Sequence, residues 1–278
     1  MIAQYLRFPG GRAKALTLSY DDGVEQDVRL ADLMRRYDVC GTFNINSGLF
    51  APEGTVHPAG QIHRRLTAAQ CLALYQDPRF EVAVHGVHHP SLDRIPSSAA
   101  MAEVVEDRRA LEAMFGGVVR GMAYPNGHYN QEVVEVLRLA GIAYARTTDA
   151  TERFDLPRKW LTLDPTCHHD HPRLHELAGT FLSAKAEREP MLFYLWGHSY
   201  EFEMHDNWTV IERFLEQVSG KPEVWYCTNI ALYDYVQACR QLVWSADGHT
   251  LHNPSAQTVW LQVDGLAVQV ASGETRRI

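Results

Sequence analysis

The chain has 278 residues, of which 46% are apolar, and a net charge of −8 from 26 basic and 34 acidic residues. This length can bury a large core, either as a single barrel-like domain or as a domain with an appendage. The acidic balance argues against a general nucleic-acid binder. Residues 1–18 lack a basic segment followed by a sustained apolar stretch, and no apolar run of about 18 residues occurs. We therefore expect a soluble cytoplasmic protein that does not enter a membrane.

The cysteines predict reduced thiols rather than disulfides. There are five of them, an odd number, and they are widely spaced without a Cys-x-x-Cys pair. They are Cys40, Cys71, Cys167, Cys227 and Cys239.

The first predicted strand, residues 16–20, runs directly into two adjacent carboxylates, Asp21 and Asp22, and then Gly23. Proteins with α/β architecture carry their chemistry at such strand ends. Neighbouring carboxylates repel each other unless a cation or a proton holds them. Taken alone, the same tripeptide is also typical of an ordinary turn.

A helix, a second strand and a long loop follow this acidic turn. Apolar residues recur at helical spacing over 30–37, and residues 39–45 form the next strand. Asn44 and Asn46, at its end, could bind substrate, but capping the turn before Gly48 is the favoured interpretation. Residues 51–64 contain two prolines and two glycines and predict a loop that shapes a binding rim. Thr67 and Gln70 form a capping box that opens a short helix.

The strand at 80–84 ends in His85, and His89 follows four residues later, so both imidazoles can face one point. One carboxylate from the first strand and two histidines, with positions left open, are typical of a catalytic metal site. The two strand ends together therefore predict a bound divalent ion. Zinc is the first choice, with cobalt, manganese, nickel and iron as alternatives.

The alternation of strand and helix continues to residue 241. Helices are predicted over 97–115, after the cap Asn130, over 210–218 and over 230–241, and strands over 118–124, 142–147, 191–196 and 224–228. This alternation favours a parallel sheet of about seven strand-helix units. Periodicity alone leaves an open doubly wound sheet as an alternative. Strands at 242–244, 258–263 and 266–270, with Asp264-Gly265 as a hairpin turn, predict a β appendage over 242–278.

The histidine-rich segment 167–175 (Cys-His-His-Asp-His-Pro-Arg-Leu-His) is a second cluster of metal-binding residue types. It could be a metal site, part of the substrate rim or a polar loop. Pro172 would fall in the first helical turn, no glutamate follows His171, and the segment is not predicted at a strand end. These features favour the polar loop.

Taken together, these segments resemble the polysaccharide deacetylase family, carbohydrate esterase family 4. Residues 19–23 (Ser-Tyr-Asp-Asp-Gly) resemble its first motif, 85–89 its second, and 192–198 (Leu-Phe-Tyr-Leu-Trp-Gly-His) its late histidine motif. The resemblance implies an incomplete (β/α)7-type barrel over 1–241 as the catalytic domain. It also implies that Asp21 is the general base, His198 the general acid, and Asp22, His85 and His89 the metal ligands.

The third and fourth family motifs match imperfectly. Ala123 stands where the family has the arginine that steadies the base, and Arg120 or Arg146 could replace it. The aspartate-tryptophan element that tunes the catalytic histidine has no clear copy. Its candidates are Asp149, Asp155 and Asp164. These departures leave the substrate preference open.

The resemblance implies a hydrolase that removes an acyl group, acetyl first, from a small or oligomeric sugar amide or ester. The ion would polarise the carbonyl and acidify water, Asp21 would accept a proton, a backbone N–H near residues 124–126 would hold the oxyanion, and His198 would protonate the leaving group. A linear or cyclic non-sugar amide as substrate, and a non-catalytic carbohydrate-binding relative, are alternatives, and a homodimer is compatible with the sequence. The candidate substrate-binding residues are Tyr124, Asn126, Arg146, Trp196 and Tyr200; the aromatic side chains could instead belong to the core.

Overall fold

The computed structural model describes residues 4–278 and contains one large sheet, two small sheets and eight α-helices among these residues. The strands are β1 (Gln4–Arg7), β2 (Lys14–Asp21), β3 (Gly41–Ile45), β4 (Phe80–Val84), β5 (Gly121–Ala123), β6 (Tyr144–Arg146), β7 (Cys167–His168), β8 (Met191–Gly197), β9 (Val224–Tyr226), β10 (Val243–Trp244), β11 (Thr250–His252), β12 (Val259–Val263), β13 (Leu266–Val270) and β14 (Thr275–Arg277).

The helices lie mainly between consecutive strands. They are α1 (Asp27–Arg36), α2 (Ala68–Tyr75), α3 (Ser97–Phe115), α4 (Gln131–Leu139), α5 (Leu174–Ser183), α6 (Tyr200–Met204), α7 (Thr209–Val218) and α8 (Asn229–Arg240). Short 3-10 turns lie at Pro9–Gly11, Leu92–Arg94, Pro125–Gly127 and Trp160–Thr162.

The large sheet is a curled parallel half-barrel, which confirms the predicted incomplete (β/α)7-type fold. Its main path has seven strands in the spatial order β6-β5-β4-β3-β2-β8-β7, and β9 is an eighth parallel strand that pairs with β2. Strands that are consecutive in the chain lie side by side along this path except where β2 pairs with β8, and β6 and β7 lie at its two ends. One isolated bridge, Arg146 to Leu163, links β6 to the segment that leads to β7. Because every pairing is parallel, the carboxyl ends of all seven strands meet at one end of the barrel.

Strand β2 is the centre of the barrel. All eight of its residues are buried, because helices cover one face and barrel side chains cover the other. On one edge, residues 14–20 pair with β8; on the other, β9 pairs with residues 14–16 and β3 with residues 19–21. The strand that carries Asp21 is therefore fixed on both edges.

Several local predictions are confirmed. Thr67 and Gln70 form the capping box of α2, and the Asn130 side chain accepts a hydrogen bond from the Val133 amide to cap α4. Helix α3 has the predicted bounds, and Gly116 ends it in the left-handed conformation with φ 72°. The buried stripe of α7 is Ile211, Phe214, Leu215 and Val218; each such side chain stabilises the fold by roughly 1.5–3 kcal/mol.

The C-terminal strands form two small antiparallel sheets, β1-β12-β13 and β10-β11-β14. The predicted hairpin is present, with positive φ at both Asp264 and Gly265. The N-terminal strand β1 joins this appendage, and the Tyr235 hydroxyl of α8 donates to the Arg7 carbonyl, 2.6 Å away. The division of the chain at residue 241 stays a prediction, since β1 belongs to the C-terminal sheet.

All five cysteines lie within residues 4–278 and are free thiols, as predicted. None of the helices within residues 4–278 combines the length with the apolar composition that a membrane-spanning helix requires.

Candidate metal centre and active site

Asp21 lies at the carboxyl end of β2 with 2% of its surface exposed. Arg146, at the end of β6, forms a buried ion pair with its Oδ2, and the Asn44 amide donates to its Oδ1 over 2.8 Å. Burial opposes ionisation of this carboxyl, but Arg146, His85 and His198 outweigh it, and the pKa of Asp21 lies below its ordinary value. Asp21 is therefore a fixed, ionised carboxylate.

Of the two candidates to replace the missing motif arginine, Arg146 is the one beside Asp21. Arg120 instead forms an ion pair with Asp234, 2.7 Å away. Arg146 is fully buried, and its guanidinium lies 4.2 Å from the centre of the Trp196 ring. Its assignment as a substrate-binding residue is therefore corrected, because the guanidinium contacts Asp21 and Trp196 and is shielded from solvent.

Asp22, His85 and His89 present ligand atoms that all lie within 4.8 Å of one another. The Nδ1 atom of His85 lies 2.8 Å from the Ala123 carbonyl oxygen, to which it donates, so the lone pair of Nε2 points into the cluster. This buried Nε2 atom has no hydrogen-bond partner among the described residues. Burial lowers the pKa of His85 to about 4, which keeps the imidazole neutral. The three side chains thus fit a divalent cation.

Asp22 has a left-handed backbone, with φ 87°, and Gly23 follows with φ 65°. Such a conformation is strained for an aspartate and typical of functional sites. His63 Nε2 lies 3.2 Å from Asp22 Oδ2, and Arg65 Nη2 lies 3.1 Å from Oδ1. The sequence analysis missed both side chains, although His63 belongs to the loop predicted as a binding rim. They hold the carboxylate in one orientation.

The turn that carries His85 is held by Asn46 and Asp107. The Asn46 amide donates to the carbonyls of His85 and Gly86 over 2.6 and 2.9 Å. Asp107, on α3, accepts the His85 amide over 2.9 Å and the Ser47 amide over 2.7 Å. The expectation that Asn44 and Asn46 cap a turn or bind substrate is therefore wrong: Asn44 supports Asp21, and Asn46 supports the histidine turn.

His198 follows β8, and its Nε2 lies 3.8 Å from Asp21 Oδ2. Its Nδ1 lies 3.2 Å from Glu201 Oε1, on α6. Burial lowers the pKa of His198, but the Glu201 and Asp21 carboxylates outweigh it and raise the pKa above its ordinary value. The imidazolium form is therefore favoured.

Glu201 is the carboxylate at His198, and it was not among the predicted candidates. Asp155 pairs with Arg153, and Asp164 accepts the Thr147 hydroxyl. The backbone amide nitrogen of Asp149 lies 3.4 Å from the Thr147 hydroxyl oxygen. The signal for Glu201 was its position three residues after His198, which places both side chains on one helical turn.

The predicted substrate-binding residues separate into two groups. Tyr124 is 1% exposed, its hydroxyl donates to the Leu161 carbonyl and its amide to the Arg146 carbonyl, so its assignment to the substrate and to the oxyanion is corrected. Trp196 is also buried, under Arg146. Asn126 is exposed, and Tyr200 is half-buried with its ring centre 5.3 Å from that of His198. Only the second group can meet a substrate.

The segment 167–175 lies at a strand end, because β7 ends at His168; its predicted position away from strand ends is wrong. His171 and His175 do not converge, since His171 contacts Glu152 over 3.3 Å and His175 contacts Gln217 over 3.3 Å. His168, His169 and Asp170 instead meet Glu201, with ligand atoms within 4.8 Å of one another.

Comparison with solved structures shows the same fold at low sequence identity. A candidate polysaccharide deacetylase from Mycobacterium smegmatis has a TM-score of 0.58 at 15% identity, covering 86% of this chain and 96% of that one. The family 4 carbohydrate esterase from Streptomyces lividans, solved with acetate, has a TM-score of 0.51 at 15% identity, covering 78% and 92%. The peptidoglycan deacetylase PdaC from Bacillus subtilis has a TM-score of 0.50 at 16% identity, covering 82% and 94%.

No curated protein sequence matches this chain. Residues 9–145 match the family model described as polysaccharide deacetylase, and this match includes the acidic strand end and the histidine turn. With the shared half-barrel, the match shows that the chain is a divergent member of the polysaccharide deacetylase family, carbohydrate esterase family 4.

Proposed function

We propose that this protein is a metal-dependent hydrolase that removes an acyl group, most simply acetyl, from a sugar amide or ester. The observation that carries the proposal is the buried Nε2 of His85. It lacks a hydrogen-bond partner among the described residues, faces the Asp22 and His89 ligand atoms, and lies 3.7 Å from the carboxylate of Asp21. Family membership supports a carbohydrate deacetylase.

Asp22, His85 and His89 would hold the ion. A divalent cation, zinc first, supplies a polarised acyl carbonyl and a water of lowered pKa when it is bound at such a site. The neutral state of His85 and the fixed Asp22 carboxylate are the forms that a cation requires of its ligands.

Asp21 would act as the general base. Its carboxylate is ionised, and Arg146 and Asn44 fix its two oxygens, so it can accept a proton from water without rotating. A general base in this position accelerates the reaction by a factor of about 10²–10⁴.

His198 would act as the general acid. Its raised pKa favours the protonated ring, and the leaving amine or alcohol needs a proton as the acyl bond breaks. Glu201 lies against Nδ1, so Nε2 is the atom left to deliver the proton. Tyr200 and Asn126 would contact the sugar beside it.

The test is acetate release from N-acetylated and O-acetylated oligosaccharides, with the metal content measured on the same samples. We expect a chelator to abolish release and added zinc to restore it. His89→Ala should lose both metal and activity. His88→Ala is the matched control, because the adjacent His88 is exposed and pairs with Glu103, 2.8 Å away.

Equal acetate release from metal-free and metal-loaded protein would overturn the metal dependence. If the protein released acid from acylated non-sugar amides but not from acetylated oligosaccharides, the proposed sugar substrate would be wrong. The proposal that the protein is a hydrolase would stand.

A further inference from the structure

We propose that the chain has a second divalent-cation site, formed by His169, Asp170 and Glu201. His169 and Asp170 follow directly after β7, and Glu201 lies on α6. This site shares no ligand with the Asp22–His85–His89 cluster, and its existence does not depend on the proposed hydrolysis.

The spacing of the ligand atoms suits a single ion. His169 Nε2 lies 3.2 Å from Glu201 Oε2 and 3.5 Å from Asp170 Oδ1. Two ligands of a tetrahedral ion, each about 2.0–2.1 Å from the metal, lie about 3.3 Å apart. The two measured distances are therefore close to the spacing that one shared ion would require, and the ligand atoms of all three side chains lie within 4.8 Å of one another.

The second observation is the state of His169. Its side chain is fully buried, stacked 4.1 Å from the Phe202 ring and 5.8 Å from the Tyr20 ring. Within residues 4–278, neither of its ring nitrogens has a hydrogen-bond partner. The carboxylate oxygens of Glu201 and Asp170 lie 3.2 and 3.5 Å from Nε2, so both are close enough to share an ion with it. A buried unpaired nitrogen costs free energy, and a bound ion is one of the ordinary ways to satisfy it.

Neighbouring side chains shape the site. A Cβ at Gly197 would collide with Nδ1 of His169, so glycine makes room for the ring. His168 Nδ1 accepts the Asp170 amide over 3.2 Å, which leaves His168 Nε2 as a donor towards Glu201, also 3.2 Å away. His205 Nδ1 lies 3.3 Å from Asp170 Oδ2. Metal-binding carboxylates are commonly oriented by such partners.

The chemistry of the ligands indicates the class of ion. One imidazole and two carboxylates suit Zn²⁺ or Mn²⁺. Because the other oxygen of Glu201 contacts His198, an ion here would lie next to the proposed general acid.

The test measures binding of Zn²⁺ and Mn²⁺ to the full chain by equilibrium dialysis after removal of metal with a chelator. We expect two ions per chain for the wild type, one for H85A/H89A, one for D170N/E201Q, and none when all four positions are changed. Glu152→Gln is the matched control, because Glu152 contacts a neighbouring histidine, His171, outside the site. It should leave two ions bound.

If the D170N/E201Q variant does not fold, a second measurement with a single substitution tests the same site. In the H85A/H89A background, Co²⁺ should give the visible spectrum of a low-coordinate site, and the half-exposed Asp170→Asn change should weaken Co²⁺ binding by about tenfold or more. The proposal is overturned if H85A/H89A binds no ion, or if D170N and E152Q bind as tightly as each other. Two bound ions without acetate release would instead overturn the proposed function alone.

Discussion

The amino and carboxyl ends of the barrel strands both contain acidic or basic side chains that are partly or fully buried, but the hydrogen bonds of these groups are filled differently at the two ends. At the amino end, Glu81 on β4 accepts hydrogen bonds from the Thr42 hydroxyl, the Tyr144 hydroxyl and the Ile230 amide, at 2.9, 2.7 and 2.8 Å. These bonds join β3, β4, β6 and the start of α8. The Glu81 carboxyl group therefore stabilises the fold by linking these elements.

At the carboxyl end, polar atoms are left available. In the described part of the chain, Nε2 of His85, Nε of Arg146 and both ring nitrogens of His169 have no hydrogen-bond partner. Asp22, His89 and Asn126 also have positive φ, a conformation that costs free energy in residues other than glycine. The comparison teaches that Glu81 at the amino end has its hydrogen bonds filled, whereas several polar atoms beside the candidate metal centre are left without a partner.

The largest effect that this comparison predicts is on activity at the carboxyl end. Asp21→Asn removes the proposed base, and we expect kcat/KM for acetate release to fall by about 10²–10⁴ while the bound metal is kept. Asp234→Asn is the control, because it breaks the aspartate–arginine pair with Arg120, remote from the site, and should leave kcat/KM unchanged. Full activity of the Asp21 variant would show that another group accepts the proton.

The amino end should respond in stability instead. Glu81→Ala leaves the hydrogen-bond donors of Thr42, Tyr144 and Ile230 without their acceptor, and we expect the free energy of unfolding to fall by about 2–3 kcal/mol. Urea unfolding measures this change, and kcat/KM of the folded protein should be unaltered. Glu135→Ala, which breaks an exposed pair with Arg138, should leave the free energy of unfolding nearly unchanged. If Glu81→Ala and Glu135→Ala lowered the free energy of unfolding by the same amount, the stabilising role of Glu81 would be contradicted.

The smallest effect is a pH dependence of stability. Burial raises the pKa of Glu81 from 4.5 to about 7, although the Ile230 amide, Tyr144 and Thr42 oppose the rise. Between these values the folded state keeps a proton that the unfolded state releases, so stability falls as pH rises through this window. Because Glu81 is only partly buried, solvent screens part of this effect. We expect the free energy of unfolding to fall by about 1–2 kcal/mol across this pH window. Glu81→Gln should remove this slope, and an unchanged slope would place its origin in other groups.

The sequence by itself determined most of the elements and the strand ends at which the candidate site residues lie. Hydrophobic periodicity and caps predicted α2, α3, α4 and α7, because these signals are local. The motifs brought Asp21, Asp22, His85 and His89 to strand ends, and the parallel sheet then brings those ends together. Their roles as base and metal ligands stay predictions.

Only the tertiary structure decided which partners complete each group. Arg146 reaches Asp21 from 125 residues away, and Asn229 on α8 meets Tyr194 inside the barrel, 2.6 Å apart. Glu201 meets His169 from a separate element, and Tyr124 and Trp196 prove to be buried. The spacing of residues along the chain does not predict such contacts. They follow from the curling of the sheet and from side-chain packing, which depend on all the strands together.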